Sequence, residues 1–182
     1  MVIDFMTSLG NYFSYLCDKS ENQDEEIKAL YQYKEDFDDI IFGTLKNIQL
    51  SNAIIRNYVF YGLMYLEEIY FLEGVREIGM YISNSEKLKT IYLSNSVRKI
   101  DETAFIECKN LENVIIDNEF KCNNLNISAS TKYTHETLSD IISKLKNLAY
   151  SEPYTLIIGK ENMRKLTKED KIMIKEKNWI FK

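Results

Sequence analysis

The sequence predicts an α/β solenoid, with parallel strands on one face of its successive turns and helical caps at both ends. A phrase of alternating apolar residues begins at Leu66, at Leu88 and at Leu111, which lie 22 and 23 residues apart. Two further columns keep the same spacing: Ile55, Ile78 and Ile100 in one, and Phe60, Ile82 and Phe105 in the other. A period of roughly 20 to 50 residues is typical of repeat architectures, whose units bury their apolar faces on one another.

Length and composition indicate a single folded domain. The chain has 182 residues, of which 45% are hydrophobic, and it contains one proline; such values are typical of one globular unit. We expect three segments: an N-terminal helical cap over residues 1–44, leucine-rich repeats over 45–128, and a C-terminal helix–strand cap over 129–182 that continues the solenoid.

The charge distribution argues against nucleic acid as a partner. The formal net charge is −5, whereas proteins that bind phosphate backbones are usually basic. The charge is also uneven: residues 1–44 carry a net −7 and residues 160–182 a net +4. These ends either steer a docking partner or neighbouring copy, or are simply solvated.

The first residues do not resemble an export signal, because Asp4 replaces the expected positive charge and the apolar residues are spaced. No apolar run approaches the length of a membrane span, so no membrane insertion is expected. The cysteines at 17, 108 and 122 are odd in number and far apart, which favours a reducing site of synthesis over disulfides or a metal site.

Two helices are predicted before the repeats. Apolar residues from Val2 to Leu16 follow a helical spacing, and Ser20 with Gln23 forms a capping-box pattern that starts a second helix. The first helix either covers the protein's own core or docks on a partner through its apolar stripe. The candidate docking residues are Phe5, Met6, Leu9, Tyr12 and Phe13.

The alternation of the strands predicts which side chains form a binding surface. We expect the first strand at Lys46–Ser51, and the inward positions of the later strands at Ile69, Phe71, Ile91, Leu93, Val114 and Ile116. The opposite face is expected to stack one continuous ribbon of side chains: Gln49, Tyr70, Tyr92, Ile115, Asn126 and Ile157, with Glu68, Thr90, Asn113 and Lys46 nearby. Tyrosine suits both protein interfaces and carbohydrate. The alternative is that the tyrosines only shield the sheet, or lie under the N-terminal helix.

The C-terminal segment is predicted to alternate helices and strands. Thr134 is a candidate N-cap for a helix that buries Leu138, Ile141, Ile142, Leu145 and Leu148 before Pro153. A strand at Tyr154–Ile158, a helix capped by Thr167 and a short strand at Trp179–Phe181 follow.

No catalytic or metal site is predicted. His135 is the single histidine, and one imidazole without nearby cysteine cannot supply a usual transition-metal shell. Cys108 occupies the repeat column of Leu63 and Ser85, so a packed core position is expected for it. We found no phosphate loop and no nucleophile beside a base, and we expect a chain that is not an enzyme and binds no cofactor.

The repeat phrase resembles the BspA-type leucine-rich repeat. Residues 97–116, from Val97 through Ile100, Ala104-Phe105, Cys108 and Leu111, follow the phrase V-x-x-I-x-x-x-A-F-x-x-C-x-x-L-x-x-I-x-L, and the likeness covers about 45–128. The segments Thr155–Gly159, Lys165–Lys171 and Lys177–Trp179 are similar to an ending found after such repeats in bacterial surface and prophage-encoded proteins. Asn178 stands where that ending usually has glycine, which a left-handed turn tolerates.

The resemblance implies a binding scaffold without catalysis. Short relatives without an export signal look like structural parts of phage tails or tail-like contractile particles, in the baseplate or fibre region. The expected partners are other particle proteins within a multi-subunit assembly, and the expected location is a virion or tail-like particle made in the bacterial cytoplasm. Two alternatives remain: a bacterial cell-surface adhesion protein that binds host protein or glycan, and a cytoplasmic interaction protein.

Overall fold

A computed structural model describes residues 46–52, 54–60 and 63–182. The predicted N-terminal cap over 1–44 lies outside the described residues, and so do the candidate docking residues Phe5, Met6, Leu9, Tyr12 and Phe13. Within the described residues the chain has an α/β repeat fold. Its ten strands are β1 (Asn47–Leu50), β2 (Ile54–Ile55), β3 (Glu68–Phe71), β4 (Glu77–Ile78), β5 (Thr90–Leu93), β6 (Lys99–Ile100), β7 (Asn113–Ile116), β8 (Asn124–Asn126), β9 (Tyr154–Ile157) and β10 (Trp179–Phe181). Its three helices are α1 (His135–Lys144), α2 (Gly159–Lys165) and α3 (Lys168–Glu176).

The repeats form a four-stranded parallel sheet in the order β1-β3-β5-β7. Ile69 pairs with Ile48 on one side and with Ile91 on the other, and Ile91 in turn pairs with Val114. This register stacks like side chains on like, as the repeat columns predict. The predicted first strand is therefore confirmed, although it is shorter at each end than Lys46–Ser51.

A second parallel sheet joins the two-residue strands β2, β4 and β6. Its paired residues include Ile55, Ile78 and Ile100, which are the column that the sequence predicts to be in register. The column was predicted but the strands were not, since two residues are too few to show an alternation.

The core lies between these sheets and extends along all the described repeats. The predicted inward residues Ile69, Phe71, Ile91, Leu93, Val114 and Ile116 are buried. The repeat leucines 66, 88 and 111 are fully buried as well. The predicted core position of Cys108 is confirmed, and burial raises the pKa of its thiol to about 12, with a further contribution from the Glu107 carboxylate.

The period of the repeats continues beyond the last strand of the first sheet. Tyr133 lies 22 residues after Leu111 and is fully buried. The hydroxyl of Ser130 donates to the Leu111 carbonyl oxygen at 2.6 Å, just as Ser85 donates to the Leu66 carbonyl oxygen at 2.8 Å two repeats earlier. Where the next strand would begin, helix α1 begins instead and packs against β7.

The start of α1 follows from its sequence. The Thr134 side chain accepts a hydrogen bond from the backbone N–H of Thr137, so the predicted N-cap is confirmed. The helix ends at Lys144, one turn earlier than the apolar spacing suggests, although Leu145 and Leu148 are still buried. At this end of the helix the ammonium group of Lys177 donates to the carbonyl oxygens of residues 142, 143 and 145, which satisfies acceptors that a helix end leaves open.

The remaining strands form a third sheet in the order β10-β9-β8, again parallel. The strands predicted near Tyr154 and Trp179 are confirmed, whereas the short helix α2 was not predicted. Asn178 adopts the expected left-handed conformation, with φ of 59°. The indole N–H of Trp179 donates to the Lys146 carbonyl oxygen at 2.9 Å, and its ring meets Tyr154 edge-on at 5.4 Å between centroids.

Helix α3 begins with a capping box that is also a contact with α1. Thr167 accepts from the backbone N–H of Asp170, and the Asp170 carboxylate accepts from both the backbone N–H and the hydroxyl of Thr167. From α1, the imidazole Nε2 of His135 lies 3.0 Å from Asp170 Oδ2, and the hydroxyl of Ser139 donates to Oδ1 at 3.0 Å. One buried carboxylate therefore joins the start of α3 to the first turns of α1.

A glycine at the turn after β3 provides a test of the packing between successive repeats. Gly74 has φ of +92°, and an added Cβ would lie 2.8 Å from the Asn52 Cα and would also overlap its side chain. Replacing Gly74 with alanine is expected to lower the free energy of unfolding by about 2 kcal/mol through backbone strain and this overlap. The matched control is Gly159→Ala, where φ is +77° but the nearest atom is 3.4 Å away, and the expected loss is about 1 kcal/mol. Equal losses in urea titrations would contradict the close approach of Asn52.

Candidate binding surface

The outer face of the four-stranded sheet carries three rows of side chains, because alternate residues of a strand point to opposite sides. We use the term outer face for these rows. The first row is Asn47, Glu68, Thr90 and Asn113; the central row is Gln49, Tyr70, Tyr92 and Ile115; and the third row, directly after the strands, is Leu72, Ser94 and Asp117.

The central row is the most distinctive part of this surface. Tyr70 and Tyr92 are half-buried, Gln49 is exposed, and Ile115 is 40% exposed although it is a large apolar residue. The two tyrosine rings lie 6.0 Å apart with 30° between their planes. The predicted outward orientation of these four side chains is therefore what the structure shows.

Carboxylates surround the tyrosines. The Tyr70 hydroxyl donates to Glu68 Oε2 at 2.9 Å, and this hydrogen bond, together with burial and the charge of Glu68, raises the pKa of Tyr70. Burial raises the pKa of Tyr92, and the nearby carboxylates of Asp117 and Glu73 raise it further. Both phenols therefore stay neutral at physiological pH, next to the negative charges of Glu68, Glu73 and Asp117.

Among the described residues, the charge of these three acids is not balanced by an ion pair. Along the described part of the chain, no lysine or arginine forms an ion pair with Glu68, Glu73 or Asp117. The acids just before the strands do have cationic partners. The carboxylate oxygen Oε1 of Glu67 lies 3.1 Å from Nζ of Lys46. Glu112 likewise lies 3.4 Å from Lys89. The three rows themselves contain no basic residue, so the outer face is a negatively charged surface.

The predicted ribbon requires two corrections. Asn126 and Ile157 do not extend it, because β8 pairs with β9 in the third sheet and not with β7. The Asn126 side chain instead accepts hydrogen bonds from the backbone N–H and the hydroxyl of Ser128. Thr90 is in the first row but is only 8% exposed, because its short side chain lies between the longer ones of Glu68 and Asn113.

A smaller correction concerns the first row of the surface. Lys46 was expected near the ribbon together with Glu68, Thr90 and Asn113, but Asn47 holds the position in register with Glu68, and Lys46 pairs with Glu67. Asp117 and Glu73 were not predicted as site residues. Asp117 follows Ile115 by two positions, so the alternation of the strand would have placed it on the same face, whereas Glu73 lies in a turn that has no period to place it.

Two other groups of polar residues are poorer candidates. His135, Ser139 and Asp170 are in contact, but both the imidazole and the hydroxyl contact the carboxylate and not each other, which is a structural junction. A shallow cleft of about 320 Å³ is lined by Lys160, Met163, Arg164 and Lys171, and Arg164 already pairs with Glu161 at 2.6 Å.

Metal ligands and membrane spans were also sought among the described residues. No group of three or more potential metal ligands comes together among them. None of their helices has the length and apolar character that a membrane span requires.

Comparison with known families identifies the repeats. No curated protein and no solved structure was found to match the chain. The family model described as "BspA type Leucine rich repeat region (6 copies)" matches residues 37–157, which is more than half of the chain and includes all four strands of the first sheet. Leucine-rich repeats generally mediate protein–protein interaction, which agrees with a chain that serves as an interaction scaffold. The chain belongs to the BspA-type leucine-rich-repeat family.

Proposed function

We propose that this protein is a noncatalytic interaction scaffold in a phage tail or tail-like contractile particle, at its baseplate or fibre region. The repeats form a solenoid whose ends are covered by the N-terminal segment and by the helices and strands after residue 128. The partners are other proteins of the particle, and the chain is one part of a multi-subunit assembly.

The observation that carries the binding role is the outer face. Tyr70 and Tyr92 stand in register on adjacent parallel strands, and Ile115 is exposed beside them. Tyrosine combines a large apolar ring with a polar hydroxyl at little cost in side-chain entropy, and it is enriched at protein interfaces. The rigid sheet holds these side chains in place before binding, which reduces the ordering cost of association.

The proposed place in such a particle rests on the resemblance of the C-terminal segments. The segments Thr155–Gly159, Lys165–Lys171 and Lys177–Trp179 resemble an ending found after such repeats in bacterial surface and prophage-encoded proteins. In the structure these segments form one unit, because β9 pairs with β10 and α3 packs against β10. An ending that folds as a unit beside the repeats fits a module that such proteins share.

Fractionation of the host tests the location. If the proposal is correct, the protein cosediments with purified tail or tail-like particles, and the genes for tail sheath, tube and baseplate flank its own gene. Recovery in the cell envelope, with no particle genes nearby, would instead support a surface adhesion protein. A soluble pool with neither association would support a cytoplasmic interaction protein.

The double variant Tyr70→Ala with Tyr92→Ala tests the surface. We expect it to lower the affinity for particles that lack the native protein by about tenfold or more, because buried interface tyrosines are frequent hot spots. The measurement is cosedimentation of purified variants with such particles. The control is Tyr150→Ala, since Tyr150 is fully exposed and lies far along the chain from the outer face.

Thermal unfolding of each variant must remain cooperative for this comparison to be valid. Unchanged binding by a cooperatively folded double variant would show that the outer face is not the contact surface. A loss of binding by Tyr150→Ala as well would point to a nonspecific effect.

A further inference from the structure

The charge of the outer face identifies the chemistry of its partner. We propose that this face receives a short basic segment of the partner protein, with an arginine or lysine held by Glu68, Glu73 and Asp117 against Tyr70 and Tyr92. This inference rests on the proposed role of the outer face as the contact surface and adds to it the kind of residue that binds there.

Glu68 and Asp117 lie on either side of the tyrosines along the strands, and Glu73 lies in the turn after β3. Glu68 is two residues before Tyr70 on the same strand, and Asp117 is two residues beyond the position paired with Tyr92. Residues two apart on a strand are separated by about 6.6 Å, and neighbouring strands by about 4.8 Å. The negative charges therefore flank the rings along the strands, so an extended basic segment could meet more than one of them.

The tyrosines and the carboxylates have separate roles in this arrangement. The rings of Tyr70 and Tyr92 stand side by side, 6.0 Å apart, so each ring partly covers the other and neither offers a fully open face to a sugar. Arginine and lysine need no open ring face, because their aliphatic stems pack on the exposed parts of the rings while their charged ends reach the carboxylates. A guanidinium group also matches a carboxylate with two parallel hydrogen bonds, which favours arginine.

The electrostatics favour a cation at this position over other occupants. The carboxylates that raise the pKa of both phenols also stabilise a positive charge placed between them. The chain's own N-terminal segment is a poor occupant, since residues 1–44 carry a net charge of −7. A phosphorylated or nucleic-acid partner is disfavoured for the same reason.

The size of the surface favours a short segment. Four strands span about 15 Å, and the three rows extend about 13 Å along them. This area is well below the roughly 800 Å² that each partner contributes to a standard protein interface. A short peptide segment suits the surface better than a whole folded domain, including a second copy of this chain.

The probe for this inference is a capped tetra-arginine peptide. The control probe is the matching tetra-citrulline peptide, which keeps the shape of the side chains but carries no charge. We expect the arginine peptide to shift the ring signals of Tyr70 and Tyr92 in NMR spectra of the full chain with labelled tyrosines. Equal shifts with the citrulline peptide, or none with either, would overturn the inference.

Charge-neutralising variants connect the response to the named acids. The triple variant Glu68→Gln, Glu73→Gln, Asp117→Asn is expected to weaken arginine-peptide binding by about fivefold or more, because it removes the charges of the three acids near Tyr70 and Tyr92. The matched control is Glu86→Gln, Glu102→Gln, Glu152→Gln, which changes the net charge equally at exposed positions elsewhere. Equal weakening by both variants would mean that the peptide responds only to net charge, and would overturn the site.

The results also separate this inference from the proposed function. Suppose that the double variant Tyr70→Ala with Tyr92→Ala abolishes particle binding but that the arginine peptide does not bind. The outer face is then the contact surface, but its partner does not bind through a basic segment. If particle binding is unaffected, the surface itself is wrong. Self-association of the chain alone in sedimentation velocity, lost in the triple acid variant, would show that a second copy occupies the face and would overturn the partner segment.

Discussion

Replacing Phe105 with alanine is expected to lower the free energy of unfolding by about 3–5 kcal/mol, the usual loss for a buried phenylalanine. Phe105 is 1% exposed and belongs to the repeat column of Phe60 and Ile82, both of which are fully buried. The backbone around it is fixed, since its carbonyl oxygen accepts from the backbone N–H of Cys108 at 3.0 Å. The turn cannot easily collapse into the cavity, so most of the lost contact remains uncompensated.

Urea unfolding monitored by circular dichroism measures this loss. Phe105→Leu keeps most of the volume and is expected to cost about 1 kcal/mol, because Ile82 shows that this column accepts an aliphatic side chain. Ile172→Ala on α3 serves as the surface control, since Ile172 is 54% exposed, and its expected effect is below about 0.5 kcal/mol. A loss below about 1 kcal/mol for Phe105→Ala would mean that this column does not fill the core.

The same variant should also show how far the repeats depend on one another. In a repeat protein each unit gains much of its stability from its neighbours. We therefore expect faster amide hydrogen exchange in β5 and β7, on either side of Phe105 in sequence, and little change in β10. Uniformly faster exchange throughout the chain would indicate that the whole protein unfolds as one cooperative unit.

The repeats could be predicted from the sequence because each of their columns has one physical requirement. Ile69, Ile91 and Val114 must be apolar, since each rests on the next in a parallel sheet and none is exposed. Such a requirement recurs at every turn and is therefore visible as a period. The outward orientation of Tyr70 and Tyr92 followed from the same alternation.

The end of the first sheet could not be predicted in the same way. His135 begins α1 at the position where a further strand would begin, 22 residues after Asn113. The local signals for that helix were recognised, but the sequence does not state that the helix replaces a strand beside β7. Asn126 was consequently assigned to the wrong sheet, because the partner of its strand, β9, lies about 30 residues further along the chain.

The polar contacts that join the C-terminal elements were also beyond sequence reasoning. Lys144 donates to the Ile116 carbonyl oxygen at 2.7 Å, and Lys165 donates to the carbonyl oxygens of residues 131 and 133. A lysine on a helix is usually solvated, so its sequence context does not distinguish these residues from ordinary surface lysines. Only the path of the chain shows that unpaired carbonyl groups lie within their reach.

Replacing Asp170 with alanine is expected to lower the free energy of unfolding by about 3 kcal/mol, the second largest effect that the structure predicts. Asp170 is 4% exposed, and its carboxylate accepts hydrogen bonds from the backbone N–H and hydroxyl of Thr167 and from Ser139. Removing it takes the acceptor away from these partly buried donors and also removes the capping box of α3. Asp170→Asn keeps one acceptor oxygen and should cost less.

The pH dependence of the free energy of unfolding distinguishes the contribution of the Asp170 charge from that of its shape. Burial alone would raise the pKa of this carboxyl group, but hydrogen bonds from Thr167, His135 and Ser139 outweigh burial and lower the pKa from 3.8 to about 2. Because the pKa is lower in the folded state, the stabilisation is complete above pH 3.8 and is lost as the pH falls towards 2. The difference is worth about 2 kcal/mol at neutral pH.

The measurement is the free energy of unfolding of the native chain and of Asp170→Asn across this pH range. We expect the native chain to be the more stable of the two near neutral pH, and the gap between them to close as the pH falls from about 5 to about 2. Glu169→Gln, on the adjacent exposed position of α3, controls for the loss of one negative charge. A gap that stays constant with pH would mean that the Asp170 carboxylate is not held in its charged form by its four donors, and that the contact between α1 and α3 depends on packing alone.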